Sequence, residues 1–175
     1  DDVLRQADTA MYRAKESGRD AVRFFLPSMQ QAADERLKTL NELRRALPRD
    51  EFRLFYQPQF ENGWRLHGAE ALLRWQHPER GLVMPGDFVG LAEESGLIAE
   101  IGYWVLREAL AQLRVWQSGE ADIGLARVSV NVSAVQFRQA DFVHRVERTL
   151  GETGATPDSL TLEMTESILL EDFDE

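Results

Sequence analysis

From Phe52 onward, short apolar segments alternate with longer stretches of helical period, and this alternation leaves the chain few folds to choose from. The segments Phe52 to Phe60, Leu66 to Trp75, Arg127 to Val132 and Ser159 to Thr165 read as strands. Between them the spacing predicts helices from about Asp87 to Ser95, from Ile98 to about Gln117 and from near Ala134 to Leu150. Ile98, Ile101, Val105, Ala109, Leu113 and Trp116 fall on one face of the second helix, and Ser133 with Gln136 has the spacing of a capping box for the third. Strands separated by helices of this length form βαβ units, so the expected fold class is α/β with a largely parallel sheet.

The chain ahead of Phe52 follows a different rhythm. Asp1 to Ser17 has helical spacing and ends at Gly18, and Ala21 to Leu26 reads as a short strand. Ser28 is then the expected N-cap of a charged helix running to about Leu47, with Leu37, Leu40, Leu43 and Leu47 on one stripe and Pro48 as its stop. That helix reads as a connector between two domains. Its stripe suits either a homodimer contact or docking on the segment that follows. Because the first residue is Asp1 and the first segment reads as mid-helix, the chain is expected to be cut from a longer protein.

Composition excludes several functions. With 30 Asp and Glu against 20 Lys and Arg, the net charge of -10 argues against binding to a nucleic-acid polymer, which requires clustered basic residues. No Cys is present, so thiol nucleophiles and zinc–thiolate sites are ruled out, in keeping with a cytoplasmic setting. No apolar run approaches the roughly 18 residues of a membrane span, so no membrane contact by this segment is expected.

The informative residues are polar ones inside the strands. Read with period 2, the second strand places Glu70, Leu72 and Arg74 on one face. The third places Ser129, Asn131 and Ser133 there, and the fourth Thr161, Glu163 and Thr165, with Glu166 just beyond. Three strands thus each present an oxygen donor, Glu70, Asn131 and Glu163, where a parallel strand usually carries Val or Ile. Carboxylates in such positions are paired or coordinate a metal, and an all-oxygen set suits a hard cation such as Mg²⁺, Mn²⁺ or Ca²⁺. Arg74, with its planar fork, suits a phosphate. Taken singly, each has a plainer reading: Glu70 in a salt bridge, Asn131 as a satisfied core amide, Glu163 and Glu166 at a solvated strand end. His67, His77 and His144 lack ligand spacing with one another, and the closing Glu171, Asp172, Asp174 and Glu175 read as a solvated tail.

Tyr56-Gln57-Pro58, Glu70-Ala71-Leu72-Leu73-Arg74-Trp75, His77-Pro78, Pro85 with Phe88, Ala92-Glu93 with Gly96-Leu97-Ile98, Asn131-Val132-Ser133 with Gln136-Phe137, and Glu163-Met164-Thr165-Glu166-Ser167 stand in the order and spacing of one family. In these motifs the chain resembles the EAL domain family, bacterial phosphodiesterases of the second messenger cyclic di-GMP, over about Phe52 to Asp172. Ala7-Asp8, Ala10-Met11-Tyr12, Ala14-Lys15 and Gly18-Arg19 resemble the C-terminal end of a GGDEF domain, the diguanylate cyclase family, without its signature loop.

The resemblance implies a (β/α)8 barrel with an antiparallel first strand, of which this chain holds a part, and a site at the C-terminal strand ends. The implied organisation is a GGDEF remnant over 1–26, a connector helix over 27–50 and the N-terminal half of an EAL domain over 51–175. By the same resemblance, Glu70, Asn131 and Glu163 match metal ligands for Mg²⁺ or Mn²⁺, Gln57 and Arg74 match substrate contacts, and Glu166 matches a residue steadying a loop over the site. Glu70 and Glu166 are thereby the implied catalytic residues. The implied reaction is metal-dependent hydrolysis of cyclic di-GMP to linear pGpG by the parent, with this piece inactive alone, because further site residues of the family lie beyond Glu175. The other reading is a degenerate EAL domain that acts as a cyclic di-GMP receptor or protein-interaction module without hydrolysis.

Overall fold

The computed structural model describes Leu4, Ala7, Met11 and residues 27–61, 65–118 and 125–164. The chain divides into two compact units, Asp1–Arg44 and Arg45–Glu175. In the first unit, Leu4, Ala7 and Met11 are helical and exposed. The rest of the helix and strand expected before Pro27 lies outside the described residues. The long helix α1 spans Pro27–Ala46. Proline with its preset φ opens that helix, so Ser28 is inside it and is not the cap the sequence suggested. Along its stripe Leu43 is buried while Leu37 is 58% exposed.

The second unit is a mixed sheet with helices. Strand β1 (Phe52–Glu61) pairs antiparallel with β2 (Arg65–His77), with a bulge between Gln59 and Phe60. Strands β4 (Arg127–Asn131) and β5 (Leu160–Glu163) then add in parallel, giving the order β1-β2-β4-β5. The three-residue β3 (Gly81–Val83) pairs only with the far end of β2. The parallel register sets Glu70 beside Ser129 and Asn131 beside Glu163.

One face of this sheet is apolar and covered. Ala69, Ala71, Trp75, Val128, Val130 and Val132 are buried there. Helices α2 (Val89–Glu94) and α3 (Ile98–Ser118) follow β3, and α3 buries Ile98, Ile101, Val105, Ala109 and Leu113 on its expected face. Each of these Ile, Val and Leu side chains is worth about 1.5–3 kcal/mol of burial as an upper figure. Trp116 is only half buried and meets Tyr56 edge-on at 4.7 Å. At the other end of the sheet Phe52 is ringed by Trp75, Phe88 and Trp104 at 6.3, 6.0 and 5.8 Å. The Trp75 indole N–H donates to Glu51 Oε2 at 3.0 Å, so a buried aromatic also satisfies its one polar atom.

The helix expected over Ala134 to Leu150 is two helices, α4 (Ala134–Phe137) and α5 (Phe142–Thr153). The Ser133 hydroxyl accepts from the Gln136 N–H at 3.1 Å, which caps α4 as the spacing predicted. The break between the helices turns through a Phe142 N–H to Gln139 C=O bond of 3.0 Å. Helix α5 stops at Gly154, whose φ of 69° closes the last turn in the left-handed region.

Candidate functional site

Backbone pairing alone defines the second face of the sheet. Residues paired across strands point the same way, so Arg53, Phe55, Gln57 and Gln59 of β1 share a face with Gly68, Glu70, Leu72 and Arg74 of β2. Arg127, Ser129 and Asn131 of β4 continue that face, as do Thr161 and Glu163 of β5. The period-2 reading of the sequence is therefore realised: five of the six site residues lie on one face. Glu166 lies outside the described residues.

At the carboxyl ends of the parallel strands Glu70, Asn131 and Glu163 come side by side. The Asn131 amide donates to Glu70 Oε1 at 2.8 Å, although 61 positions separate the two. This bond uses one of the amide's two N–H donors and leaves its carbonyl oxygen as an acceptor. Glu163 stands beside Asn131 in register, and its own carbonyl accepts the Val132 N–H at 2.8 Å, fixing the chain as it leaves β4. Gln57 is the cross-strand partner of Glu70. Among the described residues no cluster of three or more His, Cys, Asp and Glu could hold a metal; the set here is two carboxylates and an amide.

Two arginines stand directly opposite at the head of the sheet, Arg53 on β1 and Arg74 on β2. Like charges in that position repel. The fold separates their duties. Arg53 donates to the Asp50 and Phe52 carbonyls at 2.7 and 2.6 Å and pairs with the Asp50 carboxylate at 3.3 Å. Arg74 donates to the Leu73 carbonyl at 2.8 Å and lies 5.7 Å from the centre of the Phe55 ring. Among the described residues it makes no ion pair.

Beneath this layer is a polar floor that the sequence reading did not assign. The Ser129 hydroxyl is buried and donates to Gln59 Oε1 at 3.3 Å. A Cβ at Gly68 would lie 3.0 Å from the Arg127 side chain and 3.2 Å from that same Gln59 oxygen, so the close approach of three strands leaves a side chain there tight contacts that its neighbours would have to relieve. Continuing period 2 from Gln57 would have found Gln59. Continuing it the other way finds Phe55.

A hollow of about 790 Å³ opens at the same strand ends. Its walls are mostly apolar, from Ala71 and Leu73 through Val89, Ile101 and Val105, and it shares Asn131 and Glu163 with the polar face. Gln57, Glu70 and Arg74 lie on the polar face and do not line this hollow, so the site is assigned to the face and the hollow borders it.

The three histidines stay outside the site. Buried His77 accepts the Glu79 and Arg80 N–H groups through Nδ1, each at 3.1 Å, and stacks edge-on with Trp75. His67 lies 3.0 Å from Glu61 at the hairpin base, and His144 is exposed. Among the described residues no helix is long and apolar enough to cross a membrane.

Comparison with known proteins bears on this arrangement. The bifunctional diguanylate cyclase/cyclic di-GMP phosphodiesterase MucR of Pseudomonas aeruginosa is 46% identical over 99% of this chain, which spans 25% of that protein. The cyclic di-GMP phosphodiesterase PdeR of Escherichia coli is 40% identical over 97% of it, again spanning 25%. The chain thus spans about a quarter of the length of these relatives. Among solved structures, the PaMucR phosphodiesterase in its c-di-GMP complex aligns with TM-score 0.72 at 43% identity, over 78% of this chain and 55% of that one. The EAL enzyme Bd1971 with cAMP and cyclic-di-GMP bound aligns with TM-score 0.73 at 29% identity, over 97% of this chain and 44% of that one. The EAL domain model matches residues 40–175, and the chain belongs to the EAL domain family.

Proposed function

We propose that this chain is the N-terminal half of an EAL domain that hydrolyses cyclic di-GMP to linear pGpG with the help of a divalent cation, Mg²⁺ or Mn²⁺. The observation that carries the reading is the meeting of Glu70, Asn131 and Glu163, from three adjacent strands, at one carboxyl end of the sheet. Ligand sites of α/β sheets lie there, and the complexed relatives name the ligand class. MucR's two-part name and its match over nearly the whole chain support residues 1–26 as the end of a GGDEF domain.

The donor set fits a hard cation. Glu70 and Glu163 supply carboxylate oxygens, and Asn131, its amide already committed to Glu70, supplies a carbonyl oxygen. When bound there, the cation supplies Lewis acidity, which activates water and offsets charge on phosphoryl oxygens. The chain's own residues do the rest. Arg74, which makes no ion pair among the described residues, offers its guanidinium to a ligand phosphate, and Gln57 offers an amide beside Glu70. In the balanced reaction, water oxygen bonds to phosphorus, one ribose oxygen leaves with a proton, and the ring opens to a 5′-phosphorylated dinucleotide.

The site in this chain is one flank of a site. Phe55, Phe60, Leu162 and Met164 are exposed apolar side chains on β1 or at β5, the two outer strands of the sheet. Uncovered edges and faces of this kind favour association. We therefore expect the 175-residue piece alone to associate and to lack phosphodiesterase activity.

The test is cyclic di-GMP hydrolysis by the full-length protein with Mg²⁺ or Mn²⁺, beside its Glu70→Ala variant. Turnover to pGpG that disappears in the variant supports the reading. Turnover unchanged in the variant removes Glu70 from the chemistry. Binding without turnover makes the domain a receptor.

A further inference from the structure

We infer that Phe55 is a positioning residue for Arg74, a ring that holds the guanidinium in place for a ligand phosphate; this rests on the proposed phosphate contact of Arg74. Phe55 is paired with Leu72 and Arg53 with Arg74, so Phe55 and Arg74 are diagonal neighbours on the polar face, within reach of each other as long cross-strand side chains are. The guanidinium carbon lies 5.7 Å from the ring centre, inside the range where a cation is drawn to an aromatic face. Its second tie is the 2.8 Å bond to the Leu73 carbonyl. Together they restrain a side chain that makes no carboxylate contact among the described residues.

The ring is otherwise hard to explain as packing. Phe55 is 48% exposed, on the face opposite the one covered by α3, while alternate residues Leu54 and Tyr56 supply β1 to the covered side. The register partner of Arg74, Arg53, is tied to Asp50 by two contacts and to the Phe52 carbonyl by a third, which draws one of the two opposed guanidinium groups away and leaves Arg74 the ring. An arginine ordered before the ligand arrives loses less side-chain freedom on binding, and the gain appears as affinity.

A double-mutant cycle tests the coupling in the full-length protein. The readout is the Kd for cyclic di-GMP, measured by calorimetry with chelator present so that turnover does not intervene. Phe55→Leu should weaken binding about two- to fivefold, the scale of an exposed cation–aromatic contact, and Phe55→Tyr should restore most of it. In an Arg74→Ala background Phe55→Leu should change Kd by less than about 1.5-fold, since the effect runs through Arg74. An equal loss in both backgrounds, or no loss in the parent, overturns the positioning role while Arg74 keeps its own. Arg74→Ala without effect on Kd instead sinks the phosphate contact, and the positioning role falls with it. A merely structural role for the ring would lower thermal stability in both backgrounds and leave the coupling near zero.

Discussion

Gly102 lies in α3 at the point where that helix meets α4, and its missing side chain sets how near the two can come. A Cβ built there would fall 2.1 Å from Gln136 Oε1, 2.5 Å from its Cδ and 2.7 Å from its Nε2. The whole amide is in the way, and Gln136 is only 3% exposed, with its backbone N–H tied to Ser133. Gly102→Ala must therefore displace a buried amide, at an overpacking cost of about 1–3 kcal/mol. Against this stands the gain of about 0.5–1 kcal/mol when alanine replaces glycine inside a helix. The net expectation is a loss of up to about 2.5 kcal/mol. In a Gln136→Ala background the obstacle is gone, so the same substitution should be neutral or stabilise by up to about 1 kcal/mol. Urea denaturation of the complete EAL domain, in the four combinations, measures the coupling. An equal effect of Gly102→Ala on stability in both backgrounds would refute the packing argument.

Two further predictions concern protonation and the turn after β2. Tyr56 is pushed up to about 12 by its burial and then by nearby Glu108, so its neutral form is the one the fold favours. The stability this confers is complete below the usual tyrosine value of about 10 and is lost as pH rises through about 12. Tyr56→Phe should therefore flatten the alkaline loss of stability above about pH 10, and a parent and variant with the same alkaline profile would count against it. At His77, replacement by Phe keeps a ring against Trp75 but strands the Glu79 and Arg80 N–H groups, at about 1–3 kcal/mol. His77→Asn, which retains a short acceptor, should cost less in the same denaturation assay, and the reverse order would show that ring packing dominates.

How much of this was legible in the sequence depends on how local the cause is. The polar face could be read because strand side chains alternate whatever surrounds them: Glu70, Asn131 and Glu163 interrupt runs of Val, Leu and Ala at the right parity, and the ladder then sets them on one face. The α3 stripe was legible for the same reason. β3 was not, because three residues carry no period, and its pairing with Trp75 to His77 depends on the tight turn at Gly81. Nor was the break between α4 and α5, since no Gly or Pro interrupts Ala134 to Leu150. That break is made by tertiary contacts. The Tyr103 hydroxyl donates to Gln139 at 3.1 Å, Arg145 lies over the Tyr103 ring at 4.6 Å, and Arg145 pairs with Asp141 at 2.5 Å.

The same distinction separates the parts of the site. A ligand group announces itself because it breaks the burial rule of its own strand, and that breach is visible one residue at a time. A supporting group such as Phe55, Gln59 or Asp50 obeys the local rule and acquires its task only from the strand beside it. Asp50 shows the point best: its φ of 53° is the one left-handed non-glycine value among the described residues, and from there its carboxylate and carbonyl take up Arg53. Were Arg53 not taken up, two guanidinium groups would face each other at the head of the sheet. What draws Arg53 away from Arg74 is thus a turn residue on another element, which no reading of β2 alone could supply.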